Sequence, residues 1–133
     1  MKNIAIIPAR IGSKRIPKKN IKNFLGSPII SYPITAVLQS NIFDEIIVST
    51  DSSEIADLVQ ELGLDHYELR PPTLSDDHTP TAPVVEHAVR HLSKHDEKSI
   101  SNICCIYPTS VFVTSEILVD AYNKIRSSSN NRS

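Results

Sequence analysis

The stretch from residue 8 to residue 20 carries the side chains in this sequence that are best suited to chemistry. It reads PARIGSKRIPKKN, with five cations, one glycine, one serine and no acidic residue. Guanidinium and ammonium groups together with exposed backbone amides are a typical binding environment for phosphate. The stretch directly follows residues 4–7, an apolar run that predicts a buried strand. We therefore interpret residues 8–20 as a basic loop that holds a polyphosphate.

This basic loop lacks two well-known nucleotide-binding motifs. Gly12-Ser13-Lys14 has no upstream glycine at the spacing of a Walker A loop, and the sequence contains no G-x-G-x-x-G dinucleotide fingerprint. Runs rich in lysine and arginine are also common in proteins of other functions. From the pattern alone, a solvated basic loop or a nuclear-localisation-like run is therefore the alternative interpretation.

The charges of the chain are distributed unevenly. The 133 residues carry 14 cations and 15 acids, which gives a net charge of −1. Residues 1–43 contain seven of the cations and no acid, so all 15 acids lie in residues 44–133. A local basic field in a nearly neutral protein suits a small polyanion better than a long nucleic acid. We therefore expect small-molecule ligands, and neither a nucleic acid nor a membrane as partner.

Length and composition are typical of a single cytoplasmic domain. A content of 40% hydrophobic and 22% charged residues is ordinary for a globular protein. The apolar runs are shorter than a membrane span, and the first residues do not have the form of a signal peptide. Cys104 and Cys105 are adjacent in an apolar run. We expect both in the core of a reduced protein, and in neither a disulfide nor a metal site.

Apolar patterning predicts four strands that alternate with four helices. The strands are expected at residues 3–8, 45–50, 65–69 and 102–107. The expected helix starts are Ser27-Pro28 or Ser31, Asp51 or Ser52, Thr79 or Thr81, and Thr114. This order predicts an α/β fold, a Rossmann-like three-layer sandwich with a mostly parallel sheet. Residues 1–126 would form the domain, and residues 127–133 a flexible tail or the start of a further part.

Polar segments follow each predicted strand at the carboxyl edge of the sheet, where such folds bind ligands. Besides the basic loop these are residues 49–51, 70–81 and 107–110. Asp51 could contact a metal or a ribose there, but capping of the following helix is the role we favour. His87, His91 and His95 lie at helical spacing without a cysteine or carboxylate that completes a set, so we assign them to a polar helix face. We assign no metal ligand within the chain.

Several segments resemble one enzyme family. Residues 6–20, which read I-I-P-A-R-x-G-S-K-R-I-P-x-K-N, resemble the signature of the CMP-sugar cytidylyltransferases. These are the N-acylneuraminate and pseudaminic acid members of the nucleotide-diphospho-sugar transferase superfamily. Further matching segments occur in the same order at residues 43–51, 69–71, 74–76, 87–88 and 108–110. The run RPPTLSDD at residues 70–77 is most similar to the pseudaminic acid branch.

The resemblance implies transfer of CMP from CTP to the anomeric hydroxyl of a nonulosonic acid, pseudaminic acid or an N-acylneuraminate, with release of pyrophosphate. It implies catalytic roles for Arg10 and Lys19. By position, it implies a CTP site that consists of Arg10, Gly12, Ser13, Lys14, Lys19, Asn20, Arg70, Thr79, Thr81, Pro108, Thr109 and Ser110. Asn20 would contact the nucleotide, and Arg70 with the two threonines would lie near the cytosine. Such a transfer needs positioning and charge neutralisation, so no protein nucleophile is required.

The sequence departs from the family pattern in two ways. Ile11 stands where the family often has glycine. The family's sequences are also longer, and the resemblance implies that their C-terminal part carries the magnesium-binding carboxylates, most of the sugar pocket and the dimer arm. We therefore expect Mg²⁺ as a cofactor bound mainly outside this chain, and a homodimer for the full-length form. The alternative is a truncated, catalytically incompetent CTP-binding module.

Overall fold

The structure, a computed structural model, describes residues 2–11, 19–64, 67–69, 81–92 and 100–129. The strands are β1 (Lys2–Pro8), β2 (Asn23–Phe24), β3 (Ser27–Pro28), β4 (Glu45–Thr50), β5 (Tyr67–Leu69) and β6 (Ile100–Cys105). The α-helices are α1 (Ser31–Ser40), α2 (Ser53–Glu61), α3 (Thr81–Leu92) and α4 (Ser115–Ser129), and a 3-10 helix covers Lys19–Ile21. Within these ranges, no helix is long and apolar enough to cross a membrane.

Four parallel strands form the central sheet in the order β5-β4-β1-β6. Ile6 of β1 pairs with Ile47 of β4 on one side and with Cys105 of β6 on the other. β1 can occupy the interior of the sheet because residues 4–7 are apolar and at most 1% exposed. The strand order reverses at β1, since the chain first adds strands on one side of it and then returns to the other. Parallel α/β sheets bind ligands at the carboxyl ends of the strands beside such a reversal.

Helices cover both faces of the sheet. One core cluster joins Ala5 and Ile7 of β1 to apolar side chains of α1, α2 and α4. A second cluster joins Ile4 and Ile6 to Val85 of α3 on the opposite face, as the alternation of side chains along a strand requires. The predicted three-layer α/β sandwich with a parallel sheet is confirmed.

The first α-helix begins at Ser31, which is one of the two predicted starts. The other start is wrong, because Ser27 and Pro28 form β3 and pair with β2 in a two-stranded hairpin. Pro33 is the third residue of α1. The N–H groups of the first helical turn have no partner within the helix, so a proline costs α1 no hydrogen bond there.

Ser52 caps α2 at its N-terminus. The Ser52 hydroxyl accepts hydrogen bonds from the backbone N–H of Glu54 at 3.1 Å and of Ile55 at 3.4 Å. The backbone of Ser52 is extended, as an N-cap residue requires. Ser52, one of the two predicted caps, is therefore the observed one.

Gly63 ends α2, as its position after the apolar stripe predicts. It has φ +98°, which favours glycine because a side chain is strained there. The N–H of Gly63 donates to the carbonyl of Gln60, and the N–H of Leu64 donates to the carbonyl of Val59, both at 3.1 Å. These two bonds define a Schellman motif. Leu64 and Val59 are both buried in the same core cluster, which anchors the end of the helix.

The last helix also follows its predicted start. The Oγ1 of Thr114 accepts a hydrogen bond from the N–H of Ile117 at 3.2 Å, which is the expected cap. α4 runs to Ser129, so residues 127–129, predicted to be a flexible tail or the start of a further part, are helical. Residues 130–133 lie outside the described residues.

The two cysteines differ in their surroundings. Cys104 packs against the core, and burial raises the pKa of its thiol. Cys105 is exposed, so the prediction of a core position is wrong for this residue. The reason is that β6 lies at one edge of the described sheet, whereas β1 lies in its interior. Ile103, which precedes Cys105 by two residues on the same face of β6, is also exposed. Both cysteines are free thiols in the structure.

Candidate nucleotide-binding site

The ends of β1, β4 and β6 bring three separate segments of the sequence together at the carboxyl edge of the sheet. The backbone N–H of Ala9, just after β1, donates to the carbonyl of Ser49 in β4 at 2.7 Å. The N–H of Ile106, just after β6, donates to the carbonyl of Ile6 in β1 at 2.9 Å. These bonds hold the three strand exits side by side, so the start of the basic loop lies next to the segments after β4 and β6, as predicted.

Asp51 binds the backbone at the start of the basic loop. Its Oδ1 accepts a hydrogen bond from the N–H of Ile11 at 2.8 Å. The capping role that the sequence favours for Asp51 is wrong, because the side chain of Ser52 caps α2. Sequence reasoning placed Asp51 at the correct edge but missed its partner, which lies 40 residues away. Only the pairing of β1 with β4 makes this contact possible.

Ile11 does not adopt the positive φ angle that would favour glycine at this position. Among the described residues other than glycine, positive φ angles occur at Leu25 and Asn41. Ile11 is half-buried and packs against the main core cluster. A β-branched residue is therefore accommodated here without backbone strain.

Asn20 closes the basic loop at its far end. The side-chain Nδ2 donates a hydrogen bond to the carbonyl of Arg10 at 2.8 Å. Asn20 is only 5% exposed, which is rare for an asparagine and reflects this internal bond. The sequence predicted a nucleotide contact for Asn20 and missed this structural one. An isolated asparagine in a basic run offers no signal that could have identified its partner.

Arg10 and Lys19, the two predicted catalytic residues, lie at the two ends of this loop. Lys19 is the first residue of the 3-10 helix and directly precedes Asn20. The bond from Asn20 to the carbonyl of Arg10 therefore places the backbone at Lys19 close to the backbone at Arg10. Both cationic side chains are half-buried. The structure therefore places the backbone of both cationic residues at the exit of the central strand, where the strand order reverses.

The predicted segment after β6 forms a compact turn. The N–H of Ser110 donates to the carbonyl of Tyr107 at 3.1 Å, and the N–H of Val111 donates to the carbonyl of Thr109 at 2.9 Å. Pro108 is buried, Thr109 is exposed and Ser110 is half-buried. Since β6 pairs with β1, this turn lies at the same edge of the sheet as Arg10.

Part of the predicted site falls on residues outside the described ranges. These residues are Gly12, Ser13, Lys14, Arg70 and Thr79. Thr81 is the first residue of α3, one of the two helix starts predicted there. For Thr81 the backbone alone is described.

The described residues do not form a metal site by themselves. Within the described ranges, no group of three or more histidine, cysteine, aspartate or glutamate side chains lies close enough to hold a metal ion. Asp51 supplies a carboxylate at the carboxyl edge, and the N–H of Ile11 binds one of its oxygens. Mg²⁺ prefers several oxygen ligands, so the donor set seen here does not fit the ion without further ligands.

Almost the entire sequence, from residue 4 to residue 133, matches a single protein family described as cytidylyltransferase. This chain belongs to the cytidylyltransferase family. The match begins within β1 and includes every segment of the candidate site.

Three curated relatives of this chain are named as two cytidylyltransferases and one CMP-linked acid synthase. The chain is 44% identical over 124 residues to the pseudaminic acid cytidylyltransferase of Campylobacter jejuni serotype O:2, an alignment that covers 93% of this chain and 53% of the relative. It is 39% identical over 114 residues to the CMP-N,N'-diacetyllegionaminic acid synthase of Legionella pneumophila, covering 84% of this chain and 48% of the relative. It is 34% identical to the N-acylneuraminate cytidylyltransferase of Escherichia coli, covering 90% and 27%. The chain thus spans about half the length of the first two relatives.

Solved structures show the same fold. The CMP:2-keto-3-deoxy-manno-octonic acid synthetase complexed with CTP superposes with a TM-score of 0.73 at 22% identity, over 96% of this chain and 48% of that protein. A 4-diphosphocytidyl-2C-methyl-D-erythritol synthase superposes with a TM-score of 0.69 at 17% identity, over 94% and 54%. At this level of identity the superpositions establish the α/β fold.

Proposed function

We propose that this cytidylyltransferase chain binds CTP at the carboxyl edge of its sheet and forms the nucleotide-binding part of an enzyme that transfers CMP to a nonulosonic acid. The observation that carries the proposal is that Asn20, the neighbour of Lys19, binds the backbone carbonyl of Arg10 at the exit of β1, while Asp51 binds the N–H of the next residue. Two half-buried cations at the strand-order reversal of a parallel sheet suit a triphosphate. The names of the relatives support cytosine as the base.

The proposed reaction needs positioning and charge neutralisation. The anomeric hydroxyl oxygen of the sugar forms a bond to the α-phosphorus of CTP, and its proton is released to solvent. The bond from that phosphorus to the oxygen that bridges to the β-phosphate breaks, and pyrophosphate leaves with that oxygen and the bonding electron pair. Arg10 and Lys19 would neutralise the charge that grows on the phosphate oxygens. Gly12, Ser13 and Lys14 would bind the triphosphate through an amide, a hydroxyl and an ammonium group.

The remaining site residues are assigned to the rest of the nucleotide. Asn20 would contact the nucleotide in addition to its bond with Arg10. Arg70, Thr79 and Thr81 would lie near the cytosine. The turn that contains Pro108, Thr109 and Ser110 would line the site from β6, an assignment that its place beside β1 supports.

The sugar is proposed to be pseudaminic acid or an N-acylneuraminate. The 44% identity to a pseudaminic acid cytidylyltransferase supports the first of these. Mg²⁺ would shield the charge of the triphosphate, with ligands mainly from outside the described residues. We also propose that the full-length form is a homodimer and that it is located in the cytoplasm.

A second candidate function is that of a CTP-binding module without turnover. The observation that favours it is the length of the match, since the chain spans 53% of its Campylobacter relative. The basic loop lies within this chain, so the chain alone would be enough to bind CTP. Selection of the sugar and completion of the metal site would need groups that the described residues do not supply.

Two measurements on the 133-residue chain separate these candidates. Calorimetric titration with CTP in the presence of Mg²⁺, with UTP and ATP as controls, measures binding. An assay for pyrophosphate release with CTP and either pseudaminic acid or N-acetylneuraminic acid measures turnover. Binding with turnover supports the enzyme, and binding without turnover supports the module. Absence of selective CTP binding would overturn both.

A further inference from the structure

We propose that Asp51 is a positioning residue, and that together with Asn20 it fixes the orientation of one peptide group at the start of the phosphate-binding loop. This inference rests on the proposed function, because it assigns the loop a nucleotide ligand. It differs from the direct ligand or metal contact that a carboxylate at this edge suggests.

The two side chains bind the same peptide group. The carbonyl of Arg10 accepts a hydrogen bond from Asn20 Nδ2 at 2.8 Å, and the N–H of Ile11 donates to Asp51 Oδ1 at 2.8 Å. This carbonyl and this N–H belong to the single peptide bond that joins Arg10 to Ile11. Because a trans peptide is planar and its two polar groups point in opposite directions, Asp51 and Asn20 hold it from opposite sides. Rotation of this peptide group would break both bonds.

Asp51 is itself held by rigid elements. It lies between the end of β4 and the N-cap of α2. The preceding residue, Thr50, is fully buried, and its Oγ1 accepts a hydrogen bond from the N–H of Ser52 at 3.2 Å. The carboxylate therefore fixes the backbone that follows β1 relative to the end of β4.

The consequence for function concerns Arg10. Fixing the peptide group after Arg10 restricts the ψ angle of Arg10, and with it the direction in which its side chain leaves the backbone. The bond from Asn20 also holds the neighbouring Lys19 close to Arg10. A phosphate site gains affinity when its cations are preorganised, because binding then costs less conformational entropy.

The charge of Asp51 distinguishes positioning from direct binding. A carboxylate repels a triphosphate, so its negative charge does not favour CTP directly. A hydrogen bond from a backbone N–H to an ionised acceptor is stronger than one to a neutral acceptor, which explains why a carboxylate suits this position. Asp51→Asn retains an acceptor oxygen and removes the charge. Asp51→Ala removes both.

The test combines two readouts on the 133-residue chain. Amide hydrogen exchange measured by NMR reports the protection of the Ile11 N–H and does not depend on any ligand. Calorimetry with CTP and Mg²⁺ reports binding. Asp57→Ala is the matched control, since Asp57 is an exposed aspartate on α2. Asn20→Ala, read by exchange alone, provides a second variant that loosens the same peptide group if Asp51→Ala fails to fold.

We expect the Ile11 N–H to lose protection in Asp51→Ala and in Asn20→Ala, and to keep it in Asp51→Asn and Asp57→Ala. We expect CTP to bind about tenfold more weakly to Asp51→Ala, because binding must then order a peptide group that is already held in the parent chain. Asp51→Asn is expected to bind CTP at least as tightly as the parent chain.

Three outcomes would overturn the inference. Unchanged protection of Ile11 in Asp51→Ala and Asn20→Ala would show that the peptide group is not held by these side chains. Unchanged CTP affinity in Asp51→Ala would show that the orientation does not matter for binding. Loss of CTP binding in Asp51→Asn with Ile11 still protected would show that the charge acts directly, as a metal ligand would. If the parent chain does not bind CTP, the proposed function fails, while the exchange readout still decides whether Asp51 and Asn20 hold the peptide.

Discussion

Replacement of Lys19 by alanine is expected to weaken the binding of CTP about 10- to 100-fold. Lys19 is half-buried at the start of the 3-10 helix, where the bond from Asn20 to Arg10 holds it beside the exit of β1. A hydrogen bond that involves a charged group contributes roughly 1.5–3 kcal/mol. At about 1.4 kcal/mol for each tenfold change in the dissociation constant, this range corresponds to the expected loss.

Lys22 provides the matched control for this experiment. It lies three residues further along the chain, carries the same charge and is exposed. The structural contact of Lys22 is made by its backbone carbonyl, which accepts a hydrogen bond from the N–H of Ile29 at 2.8 Å, so Lys22→Ala leaves this bond in place. Exposed charges at a distance are screened by salt over about 8 Å at physiological ionic strength. Lys22→Ala is therefore expected to change the affinity for CTP far less than Lys19→Ala.

Isothermal titration of both variants with CTP and Mg²⁺ at physiological salt measures the difference. Thermal unfolding of each variant without ligand checks that Lys19→Ala does not act through stability. Equal affinities of the Lys19 and Lys22 variants would refute the assignment of Lys19 to the triphosphate site. Such a result would favour the interpretation of residues 8–20 as a solvated basic loop.

Three further predictions concern the elements that position the site, and each is measured by denaturant unfolding. Ser52→Ala removes the cap of α2 and is expected to lower the free energy of unfolding by about 1 kcal/mol; an unchanged value would contradict the capping role. Gly63→Ala introduces a side chain at φ +98°, where no described atom other than those of its chain neighbours lies within 4 Å of the new Cβ, so backbone strain is expected to cost roughly 1–2 kcal/mol. Ile6→Ala empties a fully buried position in the central strand and is expected to cost about 2–5 kcal/mol. Ile117→Ala, at a position 54% exposed, is its control, and similar losses in both would argue against the assigned core.

The elements that the sequence predicted well are those with short-range signals. The apolar run at residues 4–7 indicated a strand covered on both faces, and the structure buries all four side chains. Ser52 and Thr114 mark helix starts through side-chain hydrogen bonds, and Gly63 marks a helix end through its backbone N–H, each to a partner within a few residues. Such signals can be found in the sequence because both partners of each bond lie in one local segment. The order of strands and helices then predicted the layered α/β fold.

The details of the site depended on strand order and packing. Asp51 reaches Ile11 because β4 pairs with β1, and no local pattern distinguishes this role from helix capping. Pro28 lies in a hairpin strand because it pairs with Asn23, although a proline after a serine is a typical helix start.

The sequence by itself determined the alternating strands and helices of the sandwich, the basic character of the loop and its place after a buried strand. Tertiary structure decided which groups hold the loop in position. Asp51 and Asn20 bind the two polar groups of one peptide bond, and they come from segments 40 and 10 residues away. Contacts of this kind form only after the strands have paired, because pairing sets the distance between residues that are remote in the sequence.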